Sequence, residues 1–153
     1  MSGREEKREN DLFFVCSLIE YIGRETKNRR RNVVQALGED ELARVLELAD
    51  IYHCEPLENT ASDLITRYKI TEGDFDNVAL CQYTVATHFD IAKVYKRLIA
   101  AVSEHEGISF IDALVRVYAS WISDKIDDYN SSMYYENPQY LFQSYLAGEP
   151  LDS

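Results

Sequence analysis

The stretch "THFDIAKVYKRLIAAVSEHEGISFIDALVRVYASWISDKIDDY", Thr87 to Tyr129, decides the fold class. Its apolar side chains recur with helical spacing. Ile91, Val94, Tyr95, Leu98 and Val102 share one face of a first helix, and His105 continues that face. Leu114, Val117, Tyr118, Trp121, Ile122, Ile126 and Tyr129 form the face of a second. Thr87 is a good N-cap, and Asp90, three residues on, completes a capping box. Gly107 stops the first helix, and Ser109 with Asp112 opens the next. The spacing predicts helices over 88–106 and 110–129, joined by three residues and therefore antiparallel.

The same period continues outward. Leu12, Val15, Cys16, Ile19 and Ile22 predict a helix from about Glu5 to Lys27. Phe13, Phe14 and Leu18 widen its stripe, so burial on more than one side is expected. Gly23 lies inside this helix at a cost of about 1 kcal/mol relative to Ala, so close packing is expected there. A short helix over 30–37 should end at Gly38. Glu39, Asp40 and Glu41 open another, with Leu42, Val45, Leu46 and Ala49 inward and Tyr52 at its end. Leu57, Ala61, Leu64, Ile65 and Tyr68 make a fourth face. Residues 69–87 read as a loop with one helical turn around Asp76 to Leu80; "CQYTV" has strand propensity but no partner strand. Near the C-terminus, Asn137 caps, Pro138 takes the first position and Gly148 terminates. The expectation is an all-α protein, a single-domain bundle of about six to seven helices over residues 1–153. Residues 1–6 should fray and 149–153 form a flexible tail.

Composition narrows the function. At 153 residues and 46% hydrophobic, the chain is long and apolar enough for one core. Three cysteines, Cys16, Cys54 and Cys81, form no CxxC and fit a reducing compartment. The start, "MSGREEKREN", has no apolar secretory segment. Apolar runs such as "LIAAV" fall far short of a roughly 20-residue span. A cytoplasmic protein that does not engage membranes is expected. The net charge of −11 repels phosphate polymers at long range. It is unevenly spread: Arg24 to Arg31 holds five basic residues and one acidic, whereas 101–153 holds nine acidic and two basic.

The basic patch raises a nucleic-acid reading. As a helix-turn-helix, its recognition helix would be "EDELARVLELADIY", whose five acidic residues and lone Arg44 repel DNA. "RNVVQAL" resembles the opening of the R–polar–x4–H motif of HEPN-type ribonucleases, with Arg31 and Asn32 in place. Leu37 occupies the position of the histidine that would move the proton, so no such activity is expected. Arg29, Arg30 and Arg31 then read as a solvated helix start, a set of ion pairs with the acidic body, or a partner-binding patch.

Other constellations are weaker. His53 and Cys54 are sequence neighbours and point about 100° apart on a helix, so they do not pair. His88 lies at a helix start, and His105 suits a helix C-terminal end. Asp124, Asp127 and Asp128 read as a solvated helix face. "EGDFDN", Glu72 to Asn77, lacks the glycine and closing glutamate of a calcium loop. No metal site, no cofactor and no catalytic residue is expected. Tyrosine stands out, with eleven in the chain. Tyr134, Tyr135, Tyr140, Phe142 and Tyr145 cluster near the C-terminus, and tyrosine suits interfaces because it offers area with little rotamer loss.

The segments "LFFVCSLIEYIGRETKNRRRNVVQALG", "LELADIYHCE", "THFDIAKVYKRLI" and "SWISDKIDDYNSSMYYENPQYLFQSYLAGE" together resemble a family of small bacterial all-helical proteins of unknown function. The resemblance implies a locus near ADP-ribosyltransferase-like toxins and hence a toxin–antitoxin or accessory role. It carries over no catalytic residues. The leading expectation is a non-enzymatic module that binds another protein, such as a cognate toxin or a second copy of itself. Its candidate surface is Tyr134, Tyr135, Tyr140, Phe142 and Tyr145, or Arg29–Arg31. The alternative is an RNA- or nucleotide-directed protein using Arg29–Arg31, although nucleic acid is disfavoured by charge. A third reading, a thiol enzyme using Cys54 with His53, requires an exposed thiol of low pKa.

Overall fold

The helix over Ser2–Thr26, α1, is the axis of the molecule. A computed structural model describes residues 2–151, with side chains from Glu6 onward. Leu12, Val15, Cys16, Leu18, Ile19 and Ile22 are all buried, as the wide stripe requires. Each such side chain contributes roughly 1.5–3 kcal/mol of transfer free energy. Helix α1 starts three residues ahead of the expected position, and the expectations for Met1, Asp152 and Ser153 lie outside the described residues.

The remaining helices pack around α1. They are α2 (Arg30–Glu47), α3 (Ala49–Tyr52), α4 (Leu57–Arg67), α5 (Asn77–Leu80), α6 (His88–Glu106), α7 (Phe110–Ala119), α8 (Trp121–Asp127) and α9 (Pro138–Ala147). A 3-10 turn, Met133–Tyr135, precedes α9. Helices α2 and α6 lie directly on α1, α7 packs on both α2 and α6, and α9 covers α6. Among the described residues no strand is present, and none of their helices is long and apolar enough to cross a membrane.

The all-helical class is as expected, but among the described residues nine helices replace six to seven. Gly38, at φ 81°, kinks α2 where a helix break was expected. The segment 39–52 stops at Leu48 and restarts as α3. The larger departure is at Ser120, whose extended backbone (φ −88°, ψ 169°) splits the expected helix 110–129 into α7 and α8. Its N–H donates to Val117 O at 3.1 Å and its hydroxyl to the same carbonyl at 2.7 Å. The break re-phases α8, so that Ser123 and Asp127 turn inward beside Ile122 and Ile126.

The uncertain stretch 69–87 holds one turn of helix, α5, whose N-terminus the Asp76 side chain caps at Ala79 N. It is pinned to the turn between α1 and α2. Gly73 N donates to Thr26 O (2.8 Å), Phe75 N to Lys27 O (2.9 Å), and Asn28 Nδ2 to Thr71 O (2.9 Å).

Candidate functional site

The polar centre of the bundle grows from Arg30. This side chain is fully buried, contrary to the expectation of a solvated helix start. Gly23 makes its place: a Cβ there would overlap the Arg30 side chain, which accounts for a glycine inside a buried helix. Arg30 Nε donates to Glu20 Oε1 at 3.2 Å, Nη1 to Asn28 O at 2.8 Å, and Nη2 to Asn77 Oδ1 at 3.3 Å. Tyr118 Oη donates to Glu20 Oε2 at 3.1 Å, and Tyr95 Oη to Asp127 Oδ1 at 2.8 Å. Tyr95 and Ser123 share a hydrogen bond of 2.8 Å, and the rings of Tyr95 and Tyr118 stack 4.0 Å apart. Asn77 Nδ2 donates to Asp127 O at 3.0 Å, tying α5 to α8.

This network has two buried carboxyls, Glu20 and Asp127, and one fully buried guanidinium. Burial pushes the Glu20 carboxyl up to about 7, against the pull of Arg30 and with a further push from Asp127. Burial also raises Asp127, again opposed by Arg30. Burial works against the Arg30 charge, yet the facing Glu20, Tyr129 and Asp127 hold it above the ordinary guanidinium value. Burial lifts the Tyr95 and Tyr118 phenols well above theirs. Between pH 4.5 and about 7 the Glu20 carboxyl therefore keeps a proton that an exposed glutamate would have lost.

Asn77, Asp127 and Tyr129 carry the network to the surface, where they line a cleft of about 690 Å³. Arg29, Arg31, Phe75, Leu80, Asp124 and Asp128 complete its walls. The cleft continues through Gln82, Tyr129 and Asn130 into a second hollow bounded by Tyr83, Tyr134 and Tyr135. Asn130 fastens one side to the other: its Oδ1 accepts from Gln82 N (2.8 Å) and its Nδ2 donates to Leu80 O (3.0 Å). Tyr129, itself buried, is held by Arg24, whose Nη2 donates to its hydroxyl at 3.2 Å.

The predicted surface residues divide. Tyr134 and Tyr135 line the groove, their rings edge to face at 5.0 Å. Tyr140, Phe142 and Tyr145 do not; they are partly buried on α9 against the core. Phe142 meets His105 at 5.5 Å, and Tyr140 Oη donates to Leu151 O at 3.1 Å. Arg30 is internal. Arg29 and Arg31 both pair with Asp124, and Arg29 also lies over the Phe75 ring at 4.3 Å. Leu37, at the position of the HEPN histidine, is buried in the core. Asp127 corrects the expected solvated acidic face, because the break at Ser120 turns it inward.

Comparison with known protein families, curated proteins and solved structures returns no match to this chain. The site is thus defined by its geometry.

Two residues that sequence reasoning passed over complete the groove, Leu80 and Tyr83. No periodicity in this segment marks which side chains lie uncovered, so the sequence held no signal for them. Among the described residues His53 contacts Phe14 at 4.6 Å between rings, and Cys54 Sγ lies 3.7 Å from Asp50 O, so these neighbours engage different partners. His88 sits 5.4 Å from the Tyr21 ring, and burial, then Arg24, lowers its pKa.

Proposed function

We propose that this chain is a non-enzymatic, cytoplasmic protein-interaction module whose working surface is the groove between α5, the 81–87 loop and the Met133–Tyr135 turn. One observation carries this reading. Leu80, Tyr83 and Tyr135 are 66%, 67% and 68% exposed and border one continuous groove. Apolar side chains exposed singly are ordinary, whereas several on one rimmed surface mark an interaction site. Tyrosines bring large area and a hydroxyl that tolerates water before binding. The network beneath holds the walls, so little ordering cost attaches to docking.

The runner-up, an RNA- or nucleotide-directed protein, needs free cations at Arg29–Arg31. Arg30 is buried on Glu20, and Arg29 and Arg31 share Asp124. A phosphate would have to displace that carboxylate, which weighs against this reading. A cognate toxin and a second copy of the chain both remain partners within the proposal.

The test is a paired purification from the native host of the wild-type chain and the Tyr83→Ala/Tyr135→Ala variant. A protein that accompanies the wild type in stoichiometric amount should be lost from the variant, while the variant keeps its Tm. Retention of that protein by the variant would remove the groove from the assignment. Sedimentation of the purified chain separates self-association from a foreign partner.

A further inference from the structure

One exposed carboxylate of the groove has no cationic partner among the described residues. Arg29 and Arg31 share Asp124 as their carboxylate, and Asp127 is enclosed beneath Tyr95. Asp128 lines the same cleft and is exposed, accepting only the Asn130 backbone N–H at 3.0 Å. Among the described residues no Lys or Arg nitrogen lies within 4 Å of it. Tyr129 and Asn130 follow it directly, and beyond them the rings of Tyr83, Tyr134 and Tyr135 enclose the second hollow. An exposed carboxylate in a cleft that continues into an aromatic hollow suits a cationic segment, which can make an ion pair in the one and cation–π contacts in the other. The chain makes such a contact in this cleft already, Arg29 over Phe75. The C-terminal third of the chain, which supplies Asp128, Tyr134 and Tyr135, is acidic, with nine acidic and two basic residues over 101–153.

The wall opposite the tyrosine pair adds a second feature. The backbone N–H groups of Tyr83, Thr84 and Val85 donate to no protein atom among the described residues, and Tyr83 and Thr84 are exposed. Unpaired main-chain donors beside side-chain pockets are what an extended segment of another chain pairs with.

We infer that the groove receives an extended, basic segment of a partner protein, one Lys or Arg side chain of which pairs with Asp128 in the first cleft while the segment runs on past Tyr83, Tyr134 and Tyr135 in the second hollow. This rests on the groove reading above and names the chemistry of its occupant. Complementary charge at such a site sets orientation and speeds association.

The probes are three defined ligands: an octapeptide of alternating Lys and Val, its Glu–Val counterpart, and a single-stranded RNA octamer. Each is titrated into the isotopically labelled full chain at low salt, with amide shifts and fluorescence anisotropy as readouts. The Lys–Val peptide should bind, shift Tyr83, Thr84, Val85, Asp128 and Tyr135, and weaken as salt rises. Asp128→Asn should lower its affinity by on the order of tenfold, as expected for a lost charged hydrogen bond. Equal binding of the Glu–Val peptide, shifts scattered over the acidic surface, RNA binding in the groove, or an unchanged affinity of Asp128→Asn would each overturn the inference. The two proposals fail separately: a natural partner lost on Tyr83→Ala/Tyr135→Ala but held equally by Asp128→Asn leaves the groove assigned and removes the basic segment.

Discussion

The interior network and the groove above it invert the usual distribution of residues in opposite ways. Beneath, Glu20, Arg30 and Asp127 place charges in the core, and each is hydrogen-bonded. Above, Leu80, Tyr83 and Tyr135 place apolar surface in water with nothing upon it. The two meet at Asn77, Asp127 and Tyr129, which belong to both. A buried charge must find its partners within the chain, because its desolvation is otherwise unrecovered. An exposed ring has no such need and is free to await a partner outside. The network therefore concerns stability, and the groove concerns binding.

Substitutions can break that division, and the largest effect belongs to Arg30. Arg30→Met leaves two buried carboxyls without a cation and should cost about 3–5 kcal/mol in denaturant unfolding. The loss should shrink at acid pH, where both carboxyls are neutral. Gly23→Ala should come next. Its methyl meets the Arg30 side chain in a packed helix, and overpacking of this kind costs about 1–3 kcal/mol.

Glu20→Gln sharpens the comparison through pH. The Glu20 carboxyl is raised from 4.5 to about 7 in the folded state. Between those values the folded chain keeps a proton that the unfolded chain has released, so this group makes stability fall as pH rises through the window. Asp127 is displaced in the same direction and adds to the fall. Glu20→Gln removes one titration and should flatten the slope of stability against pH between about 4.5 and 7 relative to wild type. An equal slope in the two proteins would mean that Glu20 titrates normally. The smallest effect on stability should come from Tyr83→Ala/Tyr135→Ala, within about 0.5 kcal/mol, as for surface positions. A larger loss would show these rings to be part of the fold.

The fold was legible where apolar residues keep a 3.6-residue period. That covers α1, α4, α6 and α9, and the capping signals at Thr87, Ser109, Asn137 and Gly148 all act as expected. The break at Ser120 was not legible, because Tyr118, Trp121 and Ile122 continue an apolar pattern across it. With the break hidden, Asp127 fell by default on the wet face. Arg30 was misplaced for a similar reason: a run of arginines reads as surface, and only the space beside Gly23 admits one of them. Traces of the network were present. Tyr95 and Tyr118 lie on apolar faces, and buried phenols need acceptors. In the groove, Tyr134 and Tyr135 were visible by composition. Leu80 and Tyr83 were not, since no periodicity marks which loop side chains lie uncovered.

The most direct measurement is photocrosslinking in the native host, with benzoylphenylalanine placed at Tyr83, Tyr135 or Tyr140 in turn. The groove assignment predicts one discrete protein adduct from positions 83 and 135 and none from position 140, which lies on α9 against the core. An adduct from position 140 alone, or none from either groove position, would contradict it.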